Sequence, residues 1–581
     1  MTVAADSLKI ALAQLNPTLG DIAGNLAKLR RARATAAAKG ADLIVYPELF
    51  ICGYPPEDLV RKPAFAAACR AAVEALAAEI KGAPAVLVGT VWPDGDKLYN
   101  AVALLEDGRI TGLRYKVDLP NYGVFDEKRV FDAGPLPGPL NFKGVRIGVP
   151  ICEDIWKDEV CECLAECGAE ILLSPNGSPF EWKKEDVRTN IAVARVVETG
   201  LPLAYLNQIG GQDELVFDGA SFVLNSDKTL AVQMPAWEEA LVVTEWSRGP
   251  TGWRCAPGAK AKLEAGDAAA YHACVLGLRD YVEKNGFPGV VLGLSGGIDS
   301  AIVAAMAADA LGPTRVHAIM LPYRFTSGES LTDAAACAKA LGIRYDTVAI
   351  APAVEGIYGM LEPLFSGKPR DIAEENVQSR VRGTTLMAIS NKFGGMLVTT
   401  GNKSEMSVGY ATIYGDMNGG FNPIKDLYKM EVYRLCRWRN AHVPKGGRTS
   451  DGKAPGGIVI PENIISKAPT AELRENQKDQ DSLPPYEALD DILHCLVENE
   501  MPLSDVVKRG HAPETVKKIE RLLYLAEYKR RQAAPGIKIS SRNFGRDRRY
   551  PVTNRFREDV AGYTIDPNSA PKMGTKAAEG D

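Results

Sequence analysis

From Leu8 to Val243 the chain alternates short apolar runs with longer stretches whose apolar positions recur at helical spacing. The runs LKIALAQL, DLIVYPEL, AVLVGTVW, YNAVALLE, RIGVPICED, EILLSPNGS and PLAYLNQ read as strands. Residues 21–39, 63–81, 156–167 and 183–199 read as helices. Such alternation predicts a layered α/β domain over residues 1–246. The Gly- and Pro-rich stretch 247–268 interrupts it and is expected to be a linker. A second α/β pattern follows over 269–556: a helix at 269–284, the strand GVVLGLS, a helix from Asp299, the strand HAIMLPY, a helix at 330–341 and the strand RYDTVAI. Parallel strands joined by right-handed helical crossovers are the expected arrangement. Residues 445–457 read as a mobile loop and 557–581 as a polar tail.

Length agrees with this division, because 581 residues exceed what a single hydrophobic core usually supports. A formal net charge of -5 argues against a general nucleic-acid binder, and the cluster Arg546, Arg548 and Arg549 is too small to reverse that. No apolar run approaches the roughly 20 residues that span a bilayer, and MTVAADSLKI has no signal-like pattern, so a cytoplasmic protein is expected. The 11 cysteines are dispersed and read as reduced thiols. Cys161, Cys163 and Cys167 lack paired C-x-x-C spacing and a nearby histidine, and are expected to be buried structural thiols. All five histidines lie at or after His272, so no Cys–His or Ser–His pair can be built from the first domain.

Chemistry without imidazole is nevertheless available there. Glu48 in DLIVYPELF, Lys116 in LRYKVDLPNYGVFDE and Cys152 in RIGVPICEDIW sit at expected strand ends, where clefts form. A carboxamide is a poor electrophile: cysteine can attack it, glutamate can carry the proton to departing ammonia, and lysine with backbone N–H groups can stabilise the oxyanion. YPELFICGY, the Lys116 segment and ICEDIW resemble, in order and context, the Glu-Lys-Cys signatures of the nitrilase superfamily over about residues 7–245. That resemblance implies an α-β-β-α sandwich with Glu48 as general base, Lys116 as oxyanion support and Cys152 as nucleophile. It also places glutamine against Tyr122, Ser178 and Lys184.

In the second domain, Gly293 and Leu294 end an apolar strand and lead into Ser295, Gly296, Gly297, Ile298, Asp299 and Ser300, followed by the helical run AIVAAMAADAL. Two glycines permit a tight turn that surrounds an anion with backbone N–H groups and a helix N-terminus, although Ser and Asp alone would also read as helix caps. There is no G-x-x-x-x-G-K-[ST] segment at this turn, which disfavours a P-loop. SGGIDS instead resembles the pyrophosphate loop of ATP-pyrophosphatases. ENVQSRVRG, LVTTGNKSE, YGDMNGGFNPIKDLYK, SKAPTAEL, DSLPPYEALDDIL and EYKRRQAAPG resemble segments of NAD synthetases over about 270–555, SKAPTAEL departing slightly from the usual SKPPSAEL. The resemblance implies a Rossmann-like ATP-binding domain in which the 293–300 turn and Thr400 meet ATP. Asp299 and Glu405 would hold Mg2+, and Asn376, Glu405, Asp416 and Lys529 would bind deamido-NAD (nicotinic acid adenine dinucleotide).

Both resemblances together are those of glutamine-dependent NAD synthetases. They imply ammonia release from glutamine, ATP-driven amidation of deamido-NAD through an adenylate, a shielded ammonia passage and a homo-oligomer. Other readings are a glutamine-fed ligase with a different acceptor, a tRNA-modifying enzyme and a non-catalytic scaffold. The dinucleotide-like segments disfavour the first, the acidic balance the second and the two apparent catalytic sets the third.

Overall fold

In a computed structural model, which describes residues 5–182, 184–447 and 455–558, the chain forms two compact units that divide between Ala265 and Gly266. The first contains a seven-stranded sheet in the order Gly252–Cys255, Ala240–Gly249, Ser7–Gln14, Leu43–Val45, Ala85–Asp94, Lys97–Glu106, Arg109–Tyr115. A six-stranded sheet runs Leu230–Gln233, Phe222–Leu224, Leu203–Asn207, Ile171–Asn176, Val145–Gly148, Leu140–Phe142.

The period of two along each strand explains the stacking. Leu8, Ile10 and Leu12 pack with Ile147, Ile171, Leu173 and Leu206 between the sheets. Ala11 and Ala13 face outward onto Leu29, Ala32 and Ala36 of the helix Ile22–Ala38 and Val73 and Leu76 of Pro63–Glu79. On the other flank, Val160, Cys161 and Leu164 of Glu159–Glu166 and Ala192 and Val196 of Lys184–Thr199 cover the six-stranded sheet. The result is the α-β-β-α sandwich that the resemblance implied.

Two expectations need correction. Residues 247–255 are not linker: Ala240–Gly249 and Gly252–Cys255 form an antiparallel hairpin, with Trp246, Trp253 and Cys255 buried. Gly and Pro at the hairpin turn masked the alternation around it, and the chain leaves the unit only near Ala265. Of the three clustered cysteines only Cys161 is buried; Cys163 is half-buried on the side of the helix away from Cys161, and Cys167 is exposed at the helix C-cap. Of the expected 445–457 loop, residues 448–454 lie outside the described residues, as do residues 559–581 of the expected tail.

In the second unit a four-stranded parallel sheet runs Arg344–Thr347, Val316–Met320, Val290–Gly293, Met396–Leu397. The chain begins at Val290–Gly293, adds two strands on one side and then crosses to the other. Strand order therefore reverses beside Val290–Gly293, and a crevice opens at its carboxyl end. The alanine-rich helix Ile298–Leu311 leaves that strand through a two-glycine turn and is buried along nearly its whole length.

Candidate active sites

Three turns of the first unit bring its charged groups together. Glu48 follows the strand Leu43–Val45 in a turn that presses on the strand Ala85–Asp94; a Cβ on Gly89 would lie 2.3 Å from the Leu49 nitrogen, so only glycine fits beneath it. Lys116 immediately follows Arg109–Tyr115, and Cys152 opens the 3-10 turn Cys152–Ile155. Glu48 and Cys152 thus lie a few residues beyond their strands rather than at the strand ends expected from the sequence. Cys152 has φ 47°, a left-handed conformation rare for a side-chain-bearing residue.

Lys116 and Glu48 are fully buried, and the Lys116 Nζ donates to Glu48 Oε1 at 2.7 Å. It also donates to both oxygens of Glu127 at 2.9 Å. Asn100 Nδ2 donates to Glu48 Oε1 at 2.7 Å, and the Gly177 N–H donates to Oε2 at 2.8 Å. Tyr54 OH completes the set on Glu127 Oε1 at 2.8 Å. Burial pulls the Lys116 ammonium down, but Glu127 and Glu48 more than reverse this and hold it well above its ordinary value. For Cys152, burial and then Glu48 push the thiol well above its usual range, against the opposing Lys116. Burial and Glu48 thus both disfavour the thiolate form of Cys152.

The three expected glutamine contacts take different places. Tyr122 is half exposed, and its hydroxyl donates to Glu153 Oε1 at 3.0 Å. Lys184 carries its ammonium 5.5 Å from the Phe125 ring and 6.0 Å from the Trp156 ring, and its charge also reaches Glu153. Ser178 is buried: its Oγ accepts from Arg188 Nε at 3.0 Å and its N–H donates to Asn207. Arg188 is itself paired with Asp218 at 2.8 Å. Tyr122, Glu153 and Lys184 thus group at the surface side of Cys152, whereas the Ser178 hydroxyl is already engaged.

Sequence reading gave no role to Glu127, Asn100 or Glu153. Glu127 lies within the quoted LRYKVDLPNYGVFDE, but only the short turn Glu127–Arg129 reveals that it folds back onto Lys116. Glu153, next to Cys152, carried a usable signal in its position alone.

In the second unit a cavity lies at the strand reversal, lined by Gly293, Leu294, Ser295, Gly297, Ile298, Asp299, Ser300, Thr400, Glu405 and Asp416 among others. Gly296 is not among the lining residues; at φ +81° it turns the chain, with room for a Cβ only 2.4 Å from the Ser330 carbonyl oxygen. Serine hydroxyls preform the turn: Ser295 N–H donates to Ser300 Oγ at 3.2 Å, Gly297 N–H to Ser295 Oγ at 3.2 Å, and Ser300 Oγ to the Gly297 carbonyl at 3.0 Å.

Beneath this turn Lys429 Nζ lies 2.5 Å from Asp299 Oδ2 and 3.0 Å from Glu405 Oε1. Asn402 donates to Asp299 Oδ1 at 3.0 Å while its own oxygen caps the Glu405 N–H at 3.0 Å. Burial lifts the Glu405 carboxyl to about 8, with Asp299 adding to the rise and Lys429 opposing it. Among the described residues no group of three or more His, Cys, Asp or Glu is placed to hold a metal ion. Two carboxylates nonetheless suit a magnesium ion that draws its other ligands from phosphate oxygens and water. Lys429, together with cavity-lining Arg382 and Lys467, was not singled out from the sequence.

Asn376 and Lys529 are not among the cavity-lining residues, but both grip the segment that carries Asp416. Asn376 Oδ1 accepts from Thr412 Oγ1 at 3.0 Å, and Lys529 Nζ donates to the carbonyls of Gly409 and Ala411 at 3.1 and 3.0 Å. Asp416 Oδ1 accepts the Thr412 N–H at 2.6 Å, and burial raises its carboxyl above the ordinary range.

Comparison with known proteins covers both units. Residues 9–252 match the carbon-nitrogen hydrolase family model and residues 270–533 the NAD synthase model. The chain is 53% identical to the glutamine-dependent NAD(+) synthetase of Rhodobacter capsulatus, over 95% of this chain and 99% of that one. It is 48% identical to that of Xanthomonas campestris pv. campestris (strain 8004), again over 95% and 99%. Among solved structures it resembles the glutamine-dependent NAD+ synthetase from Acinetobacter baumannii in complex with adenosine diphosphate, with TM-score 0.74 and 41% identity over 94% of this chain and 99% of that one. The fold is shared with the Cytophaga hutchinsonii glutamine-dependent NAD(+) synthetase at TM-score 0.78 and 23% identity, over 94% and 98% of the two chains. This chain belongs to the glutamine-dependent NAD(+) synthetase family.

Proposed function

We propose that the first unit hydrolyses glutamine and that the second uses the ammonia to amidate deamido-NAD at the expense of ATP. The observation that carries this reading is the buried Glu48–Lys116–Glu127 cluster around a strained cysteine, in a chain whose second unit holds a glycine turn over two carboxylates.

In the first step Cys152 Sγ attacks the amide carbon while Glu48 takes the thiol proton. The Lys116 ammonium stabilises the oxyanion, and Glu48 returns the proton to departing ammonia. Water then enters and attacks the thioester carbonyl as Glu48 accepts its proton; the C–S bond breaks, glutamate leaves and Glu48 returns the proton to the Cys152 sulfur. Outside this centre, Glu153 and Tyr122 face the substrate α-ammonium and Lys184 its α-carboxylate. Ser178 contributes through the backbone beside Gly177, since its hydroxyl is held by Arg188.

In the second unit the nicotinate carboxylate attacks the α-phosphorus of ATP and pyrophosphate leaves from the 293–300 turn, with Thr400 against the nucleotide. Asn376, Asp416 and Lys529 shape the dinucleotide side of the site. Asp299 and Glu405 would hold magnesium, which supplies charge neutralisation for the triphosphate. Ammonia attacks the adenylate carbonyl, AMP departs and NAD forms. Adenylation is needed because a free carboxylate repels nucleophiles and has no adequate leaving group.

Purified protein given deamido-NAD, ATP and magnesium should make NAD, AMP and pyrophosphate with glutamine or with ammonium. Pyrophosphate release with another carboxylate acceptor, and none with deamido-NAD, would assign a different ligase. No helix among the described residues is long and apolar enough to cross a membrane. The reading also makes the protein a cytoplasmic homo-oligomer, which sedimentation of the purified chain and its partition on cell fractionation test.

A further inference from the structure

The carboxylate two residues beyond Cys152 makes its contacts entirely with backbone. Asp154 is 1% exposed. Its Oδ2 accepts the Ile151 N–H at 2.9 Å, and its Oδ1 accepts the N–H groups of Val117 at 3.0 Å and Asp118 at 2.8 Å. Ile151 immediately precedes Cys152, and Val117 immediately follows Lys116. One side chain therefore spans the two points of backbone from which the thiol and the ammonium project.

That junction has work to perform. Cys152 holds φ 47°, a conformation that persists only where its surroundings over-determine it. Lys116 is held at its far end by Glu48 and Glu127, and its backbone N–H donates to the Asn100 carbonyl at 2.8 Å. None of these contacts is made to the backbone of the cysteine turn; that of Asp154 to the Ile151 N–H is. We propose that Asp154 is a positioning residue for glutamine hydrolysis, fixing the spacing between the Cys152 sulfur and the Lys116 ammonium. The claim rests on the roles assigned above to Cys152 and Lys116.

Asparagine isolates the effect. It keeps the shape of Asp154 but turns an NH2 toward a backbone donor, so either the Ile151 contact or the Val117–Asp118 contact is lost and the bridge opens. Misplacement of about 1 Å at a reacting centre costs on the order of 10²-fold in rate. In the full-length Asp154→Asn protein, kcat for glutamine hydrolysis should fall on the order of 10²-fold while KM stays within about threefold of its original value. NAD synthesis from ammonium, catalysed by the other unit of the same chain, should be unchanged.

An unchanged kcat, or a raised KM at unchanged kcat, overturns the proposal. Should Asp154→Asn lose the folded first unit by circular dichroism, Asp154→Glu is read by the same split: it keeps the charge but is one methylene too long to reach both segments, and full kcat there overturns the claim equally. Cys152→Ala separates the two levels. Glutamine hydrolysis surviving in Cys152→Ala removes the functional assignment itself, whereas loss in Cys152→Ala with full kcat in Asp154→Asn removes only the positioning role.

Discussion

The Lys429 ammonium sits 2.5 Å from the Asp299 carboxylate and reaches across to Glu405 at 3.0 Å, so the two expected magnesium ligands are already bridged by a cation. Burial opposes the charge on Lys429, but Asp299 and Glu405 hold its ammonium above its ordinary range. Lys429→Met leaves two largely buried acids, Asp299 and Glu405, without the cation that pairs them. Breaking a buried pair in this way costs about 3–5 kcal/mol. The second unit of Lys429→Met should melt lower in calorimetry, with part of the loss restored by magnesium and ATP. NAD formation should fail with both nitrogen donors while glutaminase activity continues.

Glu127 gives both carboxylate oxygens to Lys116, and Tyr54 holds it in place. Glu127→Gln replaces those charge-assisted contacts with a neutral amide and leaves Lys116 to Glu48 alone. Glutamine hydrolysis should drop on the order of 10²-fold or more, as when oxyanion support is lost, with ammonium-driven synthesis intact. Steady-state rates with each donor check this.

The Cys152 thiol has a raised pKa, from burial first and Glu48 second, so its proton is retained through neutral pH and lost only as pH rises beyond the ordinary thiol range. Alkylation of the free enzyme at Cys152 by iodoacetamide, followed by peptide mass spectrometry, should keep accelerating past pH ~9. A plateau near neutrality would mean a preformed thiolate and a different activation of the nucleophile.

At Gly296 two constraints coincide, φ +81° and a Cβ position 2.4 Å from the Ser330 carbonyl oxygen. Gly296→Ala should therefore cost at least the roughly 1–3 kcal/mol of a strained backbone, and shift the 295–300 turn. Thermal melting and the KM for ATP measure the two effects: the melting point should fall and KM rise, with glutaminase activity unaffected.

Much of this is legible in the sequence. Short apolar runs located the strands: Ser7–Gln14 is offset by one residue from LKIALAQL, Val290–Gly293 falls inside GVVLGLS, and the helices Ile22–Ala38 and Pro63–Glu79 lie within one or two residues of their expected ends. Glu48, Lys116 and Cys152 stood out because unusual words surrounded them. Glu127 and Lys429 lay within quoted segments yet received no role, since a charged residue in a loop normally remains in water and only tertiary folding turns these two inward. Asp154 was hidden for a different reason: its partners are backbone N–H groups, which every sequence contains. The 247–255 hairpin was missed because the residues that make its turn are also those that mark a linker.

The division of labour is tested most directly by Cys152→Ala in the full-length chain, with NAD measured from deamido-NAD, ATP and magnesium. The account predicts that synthesis from glutamine is abolished while synthesis from ammonium proceeds at the rate of the unaltered protein. Retention of glutamine-driven synthesis, or loss of both, would contradict it.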